Sequence, residues 1–329
     1  MSSPGELAGN PHPDLQIAVI VPCRNEAASI SDVVHNFRAA LPSATIFVYD
    51  NNSDDETAAI ASEAGAIVRS ELLPGKGNVV RRMFADINAD IYVLVDGDDT
   101  YDAASAGMLV EKLESDILDM VSAIRVSVDD GSYRPGHRFG NFFLTGIVAM
   151  IFGSRSSDML SGYRIFSRRF AKSFPALTKG FEIETELTVH ALSLNIPVAE
   201  VDTPYKDRPE KSASKLNTYS DGLRILWTIF ILTKEERPFF FYSIAFGVLA
   251  ILSLALGVPV AMEFLETGLV PRFPTAILAA SIMVLAVLCL TTGLILDSVA
   301  RGRREAKRLH YLGLTWLGQG RRKSDFGNN

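Results

Sequence analysis

The chain has 329 residues, 48% apolar and 21% charged, and a net charge of −6. These proportions exclude whole-chain disorder, collagen and coiled coil, and the acidic balance argues against a nucleic-acid partner. Cys23 and Cys289 are too few and too far apart for a disulfide or zinc framework, and the five histidines are scattered. The mean hydropathy of +0.18 is high for a water-soluble protein, so the apolar excess must be concentrated somewhere.

Residues 1–15 are polar and hold Pro4, Pro11 and Pro13. They read as a disordered leader without the apolar core of a secretory signal. From Gln16 the pattern becomes regular. Ile17–Pro22 is a short apolar run expected to be a buried strand, and Ala27–Ala40 carries Ile30, Val33, Val34 and Phe37 at helical spacing. Thr45–Asp50 is the next strand, Thr57–Ala64 a helix and Ala66–Ser70 a strand. Asn78–Ile87 is a helix, and Ile91–Asp96 a fourth strand. Alternation of this kind predicts an α/β unit with a mainly parallel sheet and helices on both faces. Ligands of such sheets bind beyond the carboxyl ends of the strands. Polar clusters stand at three of those ends: Pro22–Glu26, Asp50–Thr57 and Asp96–Thr100.

The chemistry concentrates in these clusters. Asp96-Gly97-Asp98-Asp99 follows five apolar residues. Two carboxylates flanking a glycine can reach one hard cation, Mg²⁺ or Mn²⁺, which shares its oxygens with substrate phosphates. A solvated acidic turn is the bland reading. In the second cluster Asp50 closes a strand and can accept hydrogen bonds from a base or ribose, while Ser53, Asp54 and Thr57 suit helix capping. Pro74-Gly75-Lys76-Gly77-Asn78 opens a helix. Its glycines let backbone N–H groups approach an anion, and its lysine adds charge. Glu182, Glu184 and Glu186 stand at alternate positions of a predicted helix, where one could touch a substrate and the others solvent or backbone.

The C-terminal third differs in kind. Leu216–Lys234 is rich in aliphatic and aromatic residues and reads as one or two interfacial amphipathic helices, or as a helix closing the soluble unit. Pro238–Met262 and Phe273–Leu296 contain no charged residue. Each exceeds the ~20 residues needed to cross a ~30 Å hydrocarbon core. From Val299 to Asn329 there are eight Lys/Arg against two Asp/Glu. Basic flanks prefer the cytoplasm, so a two-helix transmembrane hairpin is expected, with both termini cytoplasmic. The expected organisation is a leader (1–15), a cytoplasmic catalytic unit (16–212), interfacial helices (213–237), the hairpin (238–298) and a basic tail (299–329).

Taken together, VPCRNE, YDNNSDDET, GKG and VLVDGDDT in this order resemble a family 2 glycosyltransferase of the GT-A fold. Asp158-Met-Leu-Ser-Gly162-Tyr-Arg164 and Arg208 through Ser214-Lys215-Leu216 resemble segments of the polyprenyl-phosphate branch, the dolichol-phosphate mannose synthase group and its bacterial two-span relatives. GKGNVVRRMF with VDGDDTYD is similar to archaeal enzymes that load N-acetylglucosamine onto dolichyl phosphate. There are departures. Asp50-Asn51-Asn52-Ser53 stands where DDGS is usual, and the Gln that mannose synthases carry after the DxD is absent. The Q-x-x-R-W signature of processive synthases is also absent.

The resemblance implies transfer of a sugar from a nucleoside-diphosphate sugar, a UDP-sugar such as UDP-GlcNAc or UDP-Glc being favoured. The acceptor would be undecaprenyl or dolichyl phosphate, at the cytoplasmic face of the inner membrane and with inversion. It implies a nucleotide site of Pro22, Arg24, Asn25, Glu26, Asp50, Asn52, Lys76 and Asp96. The metal ligands would be Asp96 and Asp98, and the acceptor-phosphate residues Arg125, Arg138 and Arg164. Asp98, Asp158, Arg208 and Lys215 would be catalytic, with Asp158 either a base or a structural partner of Arg164. A membrane hairpin is compatible with a homo-oligomer. Transfer to another lipid acceptor is one alternative, and it would need a general base for a hydroxyl. A catalytically silent GT-A anchor that binds nucleotide is another.

Overall fold

The computed structural model describes residues 15–127, Gly146, 158–206 and 218–316, with the side chains of 218–223 excepted. The strands are β1 (Ile17–Cys23), β2 (Thr45–Asp50), β3 (Ile67–Ser70), β4 (Ile91–Leu94), β5 (Met120–Ser127), β6 (Arg164–Ser167) and β7 (Val198–Tyr205). They form one sheet in the order β3-β2-β1-β4-β6-β5-β7. The pairs β3–β2, β2–β1 and β1–β4 are parallel, as is β5–β7. Only β6 runs against its neighbours β4 and β5.

The unbroken apolar run of β1 has a direct cause. Ile17, Val19 and Val21 enter the core on one face of the sheet, and Ala18 and Ile20 enter the core on the other. A strand buried on both faces has no polar side to alternate. β4 behaves likewise, with Ile91 and Val93 on one face and Tyr92 and Leu94 on the other. Helices α1 (Ile30–Ala40), α2 (Thr57–Glu63) and α4 (Ala106–Ser115) cover the first face through residues such as Val34, Phe37, Ala61 and Leu109. Helices α3 (Lys76–Asp86), α5 (Arg168–Ser173) and α6 (Ile183–Leu194) cover the second through Val80, Met83, Phe170 and Leu187. β2 lies on one side of β1 and β4 on the other, so the chain reverses direction across the sheet at β1. That topological switch point leaves a crevice at the carboxyl ends of β1 and β4.

The remaining helices are α7 (Thr218–Glu236), α8 (Pro238–Thr267) and α9 (Phe273–Gly313). The chain divides into two compact units. One contains the sheet and takes in residues from 307 onward, and the other runs from Trp227 to Ala306. In the sheet-bearing unit the end of α9 returns to the core. The Tyr311 hydroxyl donates to the fully buried Asp119 carboxylate, which also accepts from Ser167 and, through both oxygens, from Arg169. The Trp316 indole N–H donates to Leu118 O at 2.8 Å.

Within the second unit α8 and α9 are both long and apolar enough to cross a membrane. They meet through small residues. Ser253 Oγ donates to Ala279 O at 2.7 Å, and a Cβ on Gly257 would rest 3.5 Å from the Ala279 methyl. Close backbone approach of this kind is how helices associate where lipid removes the hydrophobic drive between them. α7 is a single helix. Ile225, Ile229 and Thr233 are buried along one face, while Trp227 and Phe230 are exposed and stacked at 5.3 Å.

α6 carries a buried group with a measurable consequence. His190 packs edge-on against Phe170 and Phe174, and its Nδ1 has no hydrogen-bond partner. Burial drives its pKa down to about 3, and Lys307 adds to the effect. The unfolded chain takes up this proton below about pH 6.5, whereas the folded chain resists until about pH 3. The stability His190 confers by staying neutral is therefore full above the unfolded value and is lost as the pH falls between the two. At its steepest the loss is about 1.4 kcal/mol per pH unit. Replacing His190→Leu is expected to flatten the fall of melting temperature on acidification from neutrality. Parallel melting curves for the two proteins would contradict the assignment.

Candidate active site

The crevice at the switch point is a cavity of about 440 Å³, walled by the loops after β1 and β4 and the first turn of α3. Its first wall is the Pro22–Glu26 turn. Asn25 adopts a left-handed conformation, φ 52°, which asparagine tolerates better than most residues. The turn is stitched to the second polar cluster. Asn25 N–H donates to Ser53 Oγ at 2.9 Å, Glu26 N–H to Thr57 Oγ1 at 2.8 Å, and Asp54 N–H to Asn25 Oδ1 at 2.8 Å. Ser53 and Thr57 therefore brace a neighbouring loop. Helix α2 begins at an N-cap, Glu56, that makes no side-chain cap bond, which corrects the capping expectation.

The Asp50-Asn51-Asn52-Ser53 segment also departs from expectation. Asp50 and Asn52 do not line the cavity, and Asn51 does. Asn51 Nδ2 donates to Glu71 O and Leu73 O, and its Oδ1 accepts from Gly75 N–H at 2.7 Å, tying β2 to the start of α3. Asn52 occupies a left-handed position, φ 56°, that a glycine would otherwise fill. Asp50 Oδ2 accepts from Ser53 N–H, while its buried Oδ1 has no partner and is the available acceptor at this strand end.

The glycines of the Gly75-Lys76-Gly77 turn serve the protein's own packing. Gly77 N–H donates to Lys179 O at 3.0 Å, and a Cβ on Gly77 would collide with Thr178 O. The expected backbone cradle for an anion is thus taken by the 177–180 segment. That segment is pinned in turn by Glu186, whose carboxylate accepts from the N–H groups of Leu177 and Thr178, both at 2.8 Å. The three glutamates of the 182–186 stretch accordingly separate: Glu182 stands at the N-cap position of α6 without a side-chain cap bond, Glu186 braces a loop, and Glu184 lines the cavity.

The charged centre joins three elements. Lys76 Nζ lies 2.5 Å from Asp96 Oδ1 and 2.5 Å from Glu184 Oε1. Burial alone would depress the lysine, but the Asp96 and Glu184 carboxylates outweigh it and hold its pKa above the ordinary range, so the ammonium stays charged. Asp98 is 3% exposed, and its Oδ1 accepts from Thr100 N–H and Thr100 Oγ1 at 2.7 Å. Asp96 and Asp98 both line the cavity. Among the described residues no cluster of three or more His, Cys, Asp or Glu converges, so no metal cage is built from protein alone. The donor set fits a hard cation that takes one or two carboxylates and completes its shell with substrate phosphate and water.

The remaining wall carries Arg125, Tyr101, Tyr205, Phe181 and Leu160. Arg125 forms a two-pronged pair with Asp158, Nε–Oδ2 at 2.6 Å and Nη2–Oδ1 at 2.8 Å. Its guanidinium also lies 5.6 Å from the centre of the Tyr205 ring. The partner of Asp158 is therefore Arg125, where Arg164 had been the structural candidate. Arg164 is absent from the cavity lining and is spent on the interior, bonding Ser161 O, Met159 O and Thr188 Oγ1. Of the sequence-named residues, Pro22, Arg24, Asn25, Glu26, Lys76, Asp96, Asp98 and Arg125 meet in one cavity. Arg138, Arg208 and Lys215 lie outside the described residues. The aromatic wall of Tyr101, Phe181 and Tyr205 has no signature in the sequence, because three single aromatics, two in connecting segments and one at the end of β7, form no local pattern.

A model of glycosyl transferase family 2 matches residues 18–174. Glycosyltransferase AglJ of Haloferax volcanii is 30% identical over 305 residues, 92% of this chain and 99% of its own. An uncharacterized protein of Shigella flexneri is 55% identical over 154 residues, 47% of this chain and 94% of its own. Glucosyl-3-phosphoglycerate synthase from Mycobacterium tuberculosis, solved in complex with Mn²⁺, UDP and glucosyl-3-phosphoglycerate, superposes with a TM-score of 0.57. That superposition is at 21% identity and covers 68% of this chain and 81% of the other. The mainly parallel mixed sheet with its flanking helices is a GT-A domain, followed by two long apolar helices. The chain belongs to glycosyl transferase family 2.

Proposed function

We propose that this glycosyltransferase moves a sugar from a nucleoside-diphosphate sugar, a UDP-sugar by preference, to a polyprenyl phosphate at the cytoplasmic face of a membrane. The observation that carries the reading is one cavity lined both by the Asp96/Asp98 carboxylates and by the Arg125 guanidinium. It sits in a chain that also holds two helices long and apolar enough to cross a bilayer. A carboxylate pair suits the metal-bound diphosphate of a donor, and a guanidinium fork suits a phosphate acceptor. The Mycobacterium tuberculosis relative in complex with Mn²⁺ and UDP supports the donor half.

In this reading Asp96 and Asp98 hold Mg²⁺ or Mn²⁺, which when bound neutralises charge on the departing diphosphate. Glu26 contributes an acceptor toward the nucleotide. Arg125 orients the acceptor, exchanging part of its pair with Asp158 for phosphate oxygens. A phosphate monoester is already ionised near neutrality. Its oxygen attacks the anomeric carbon directly, the bond to the diphosphate breaks with its electron pair leaving on the nucleotide, and the anomeric centre inverts. No base is required, so Asp158 acts by holding Arg125. Arg208 and Lys215 are assigned to the same acceptor by resemblance, and Arg138 by its position in the chain near the expected acceptor loop. The hairpin of α8 and α9 spans the membrane, with the basic residues that begin at Arg301 on the cytoplasmic side.

The test is full-length protein in detergent with Mn²⁺ or Mg²⁺, a short polyprenyl phosphate and a panel of UDP- and GDP-sugars, read by mass spectrometry of the lipid. One donor is expected to give a glycosyl phospholipid with the anomeric configuration inverted. Transfer to a lipid hydroxyl but not to the phosphate would overturn the acceptor assignment.

A further inference from the structure

We propose that Glu184 is a positioning residue for the cavity lysine: it retains the Lys76 ammonium when Asp96 is drawn away to a divalent cation. This rests on the reading of Asp96 as a cation ligand. The three side chains are unequally placed. Lys76 and Glu184 are 8% and 5% exposed, whereas Asp96 is 29% exposed. The lysine and Glu184 thus form the interior half of the cluster, and Asp96 forms its accessible half. Lys76 Nζ contacts Asp96 Oδ1 at 2.5 Å, and a dication on the Asp96 carboxylate draws on the same negative charge and repels the ammonium. Uptake of a cation therefore weakens the hold of Asp96 on Lys76.

Two features say where the ammonium turns. Glu184 Oε2 is buried and has no hydrogen-bond partner, so a freed N–H of Lys76 finds a vacant acceptor on the same carboxylate that already holds it. An ammonium has three donors and can use both oxygens. Gly162 packs beside the pair: a Cβ built there would overlap Asp96 Oδ2 and lie 3.1 Å from Lys76 Nζ. Lys76 therefore stays at the cavity wall, charged and facing the diphosphate, in either arrangement. The Glu184 charge also offsets repulsion between the ammonium and an arriving dication.

The test titrates Mn²⁺ into full-length protein in detergent at saturating UDP, following free Mn²⁺ by electron paramagnetic resonance. Three proteins are compared: wild type, Glu184→Gln and the double variant Lys76→Met/Glu184→Gln. In Glu184→Gln the lysine has Asp96 as its sole counter-ion and yields it less readily, so the apparent Kd for Mn²⁺ is expected to rise about tenfold. The double variant has no competing ammonium and is expected to bind Mn²⁺ at least as tightly as wild type. A merely structural glutamate would weaken both variants alike, and that result, or an unchanged Kd in Glu184→Gln, overturns the inference. If Glu184→Gln fails a melting test for folding, the double variant decides alone, because it buries no unpaired charge: weaker uptake than wild type overturns the proposal. Wild-type protein that takes up no Mn²⁺ with UDP overturns the metal reading, and this inference with it. Wild-type uptake that Glu184→Gln leaves untouched overturns this inference only.

Discussion

Asp98→Asn is expected to lower the rate of sugar transfer by about a thousandfold or more, while the melting temperature stays close to that of wild type. The substitution separates charge from shape. Asp98 is buried behind the end of β4, and its Oδ1 accepts from the backbone and the hydroxyl of Thr100. An asparagine Oδ1 accepts the same two bonds, so the turn keeps its form. What is lost is the negative charge that would share a cation with the leaving diphosphate. Stabilisation of developing charge by a bound cation is worth several kcal/mol, and each ~1.36 kcal/mol is a factor of ten in rate. Initial rates of lipid product at saturating donor measure the effect, and a thermal melt checks the fold. A residual rate within about tenfold of wild type would remove Asp98 from the metal site.

How far the sequence reaches into this site depends on the distance over which each feature is decided. β1, β2 and β4 are legible because burial on both faces leaves continuous apolar runs, and their polar termini mark the crevice. β6 is not legible in the same way. It is four residues long, and its antiparallel placement between β4 and β5 is settled by pairing across the sheet, with Tyr92 opposite Phe166 and Val121 opposite Ile165. The glycines around Lys76 illustrate a second limit. Their spacing fits an anion cradle, but the steric demand comes from Thr178 and Lys179, about a hundred residues away. The Lys76–Glu184 pair spans 108 positions, so no local pattern announces it. Asn52 is the converse case. A left-handed turn after a strand restricts the residue type, and asparagine meets that need where a glycine is usual, so the apparent loss of the family's glycine preserves the turn.

Arg164 gives the sharpest separation between what resemblance implies and what the fold does. The motif around it suggests contact with an acceptor phosphate. In the structure it is 1% exposed and bonds two backbone carbonyls and a hydroxyl, Ser161 O at 3.0 Å, Met159 O at 2.6 Å and Thr188 Oγ1 at 2.9 Å. It thereby ties the 158–163 turn to β6 and α6. Arg164→Ala would remove the donor that serves the Ser161 and Met159 carbonyls and open a void, and each buried acceptor left unsatisfied costs about 1–3 kcal/mol. At about 2–4 °C per kcal/mol for a unit of this size, the melting temperature is expected to fall by roughly 10 °C. Arg164→Lys is expected to be destabilising too, since one ammonium cannot reproduce a planar fork that serves three separated acceptors. Arg125 supplies the contrast, because it lines the cavity and its side chain is 17% exposed. Arg125→Lys retains a cation beside Asp158 and is expected to raise the acceptor KM about tenfold through loss of the bidentate phosphate contact, with a much smaller change in melting temperature. The two arginines are told apart by measuring both quantities below the lower melting point. A stable Arg164→Ala protein with a raised acceptor KM would place Arg164 at the acceptor after all, as the motif suggests.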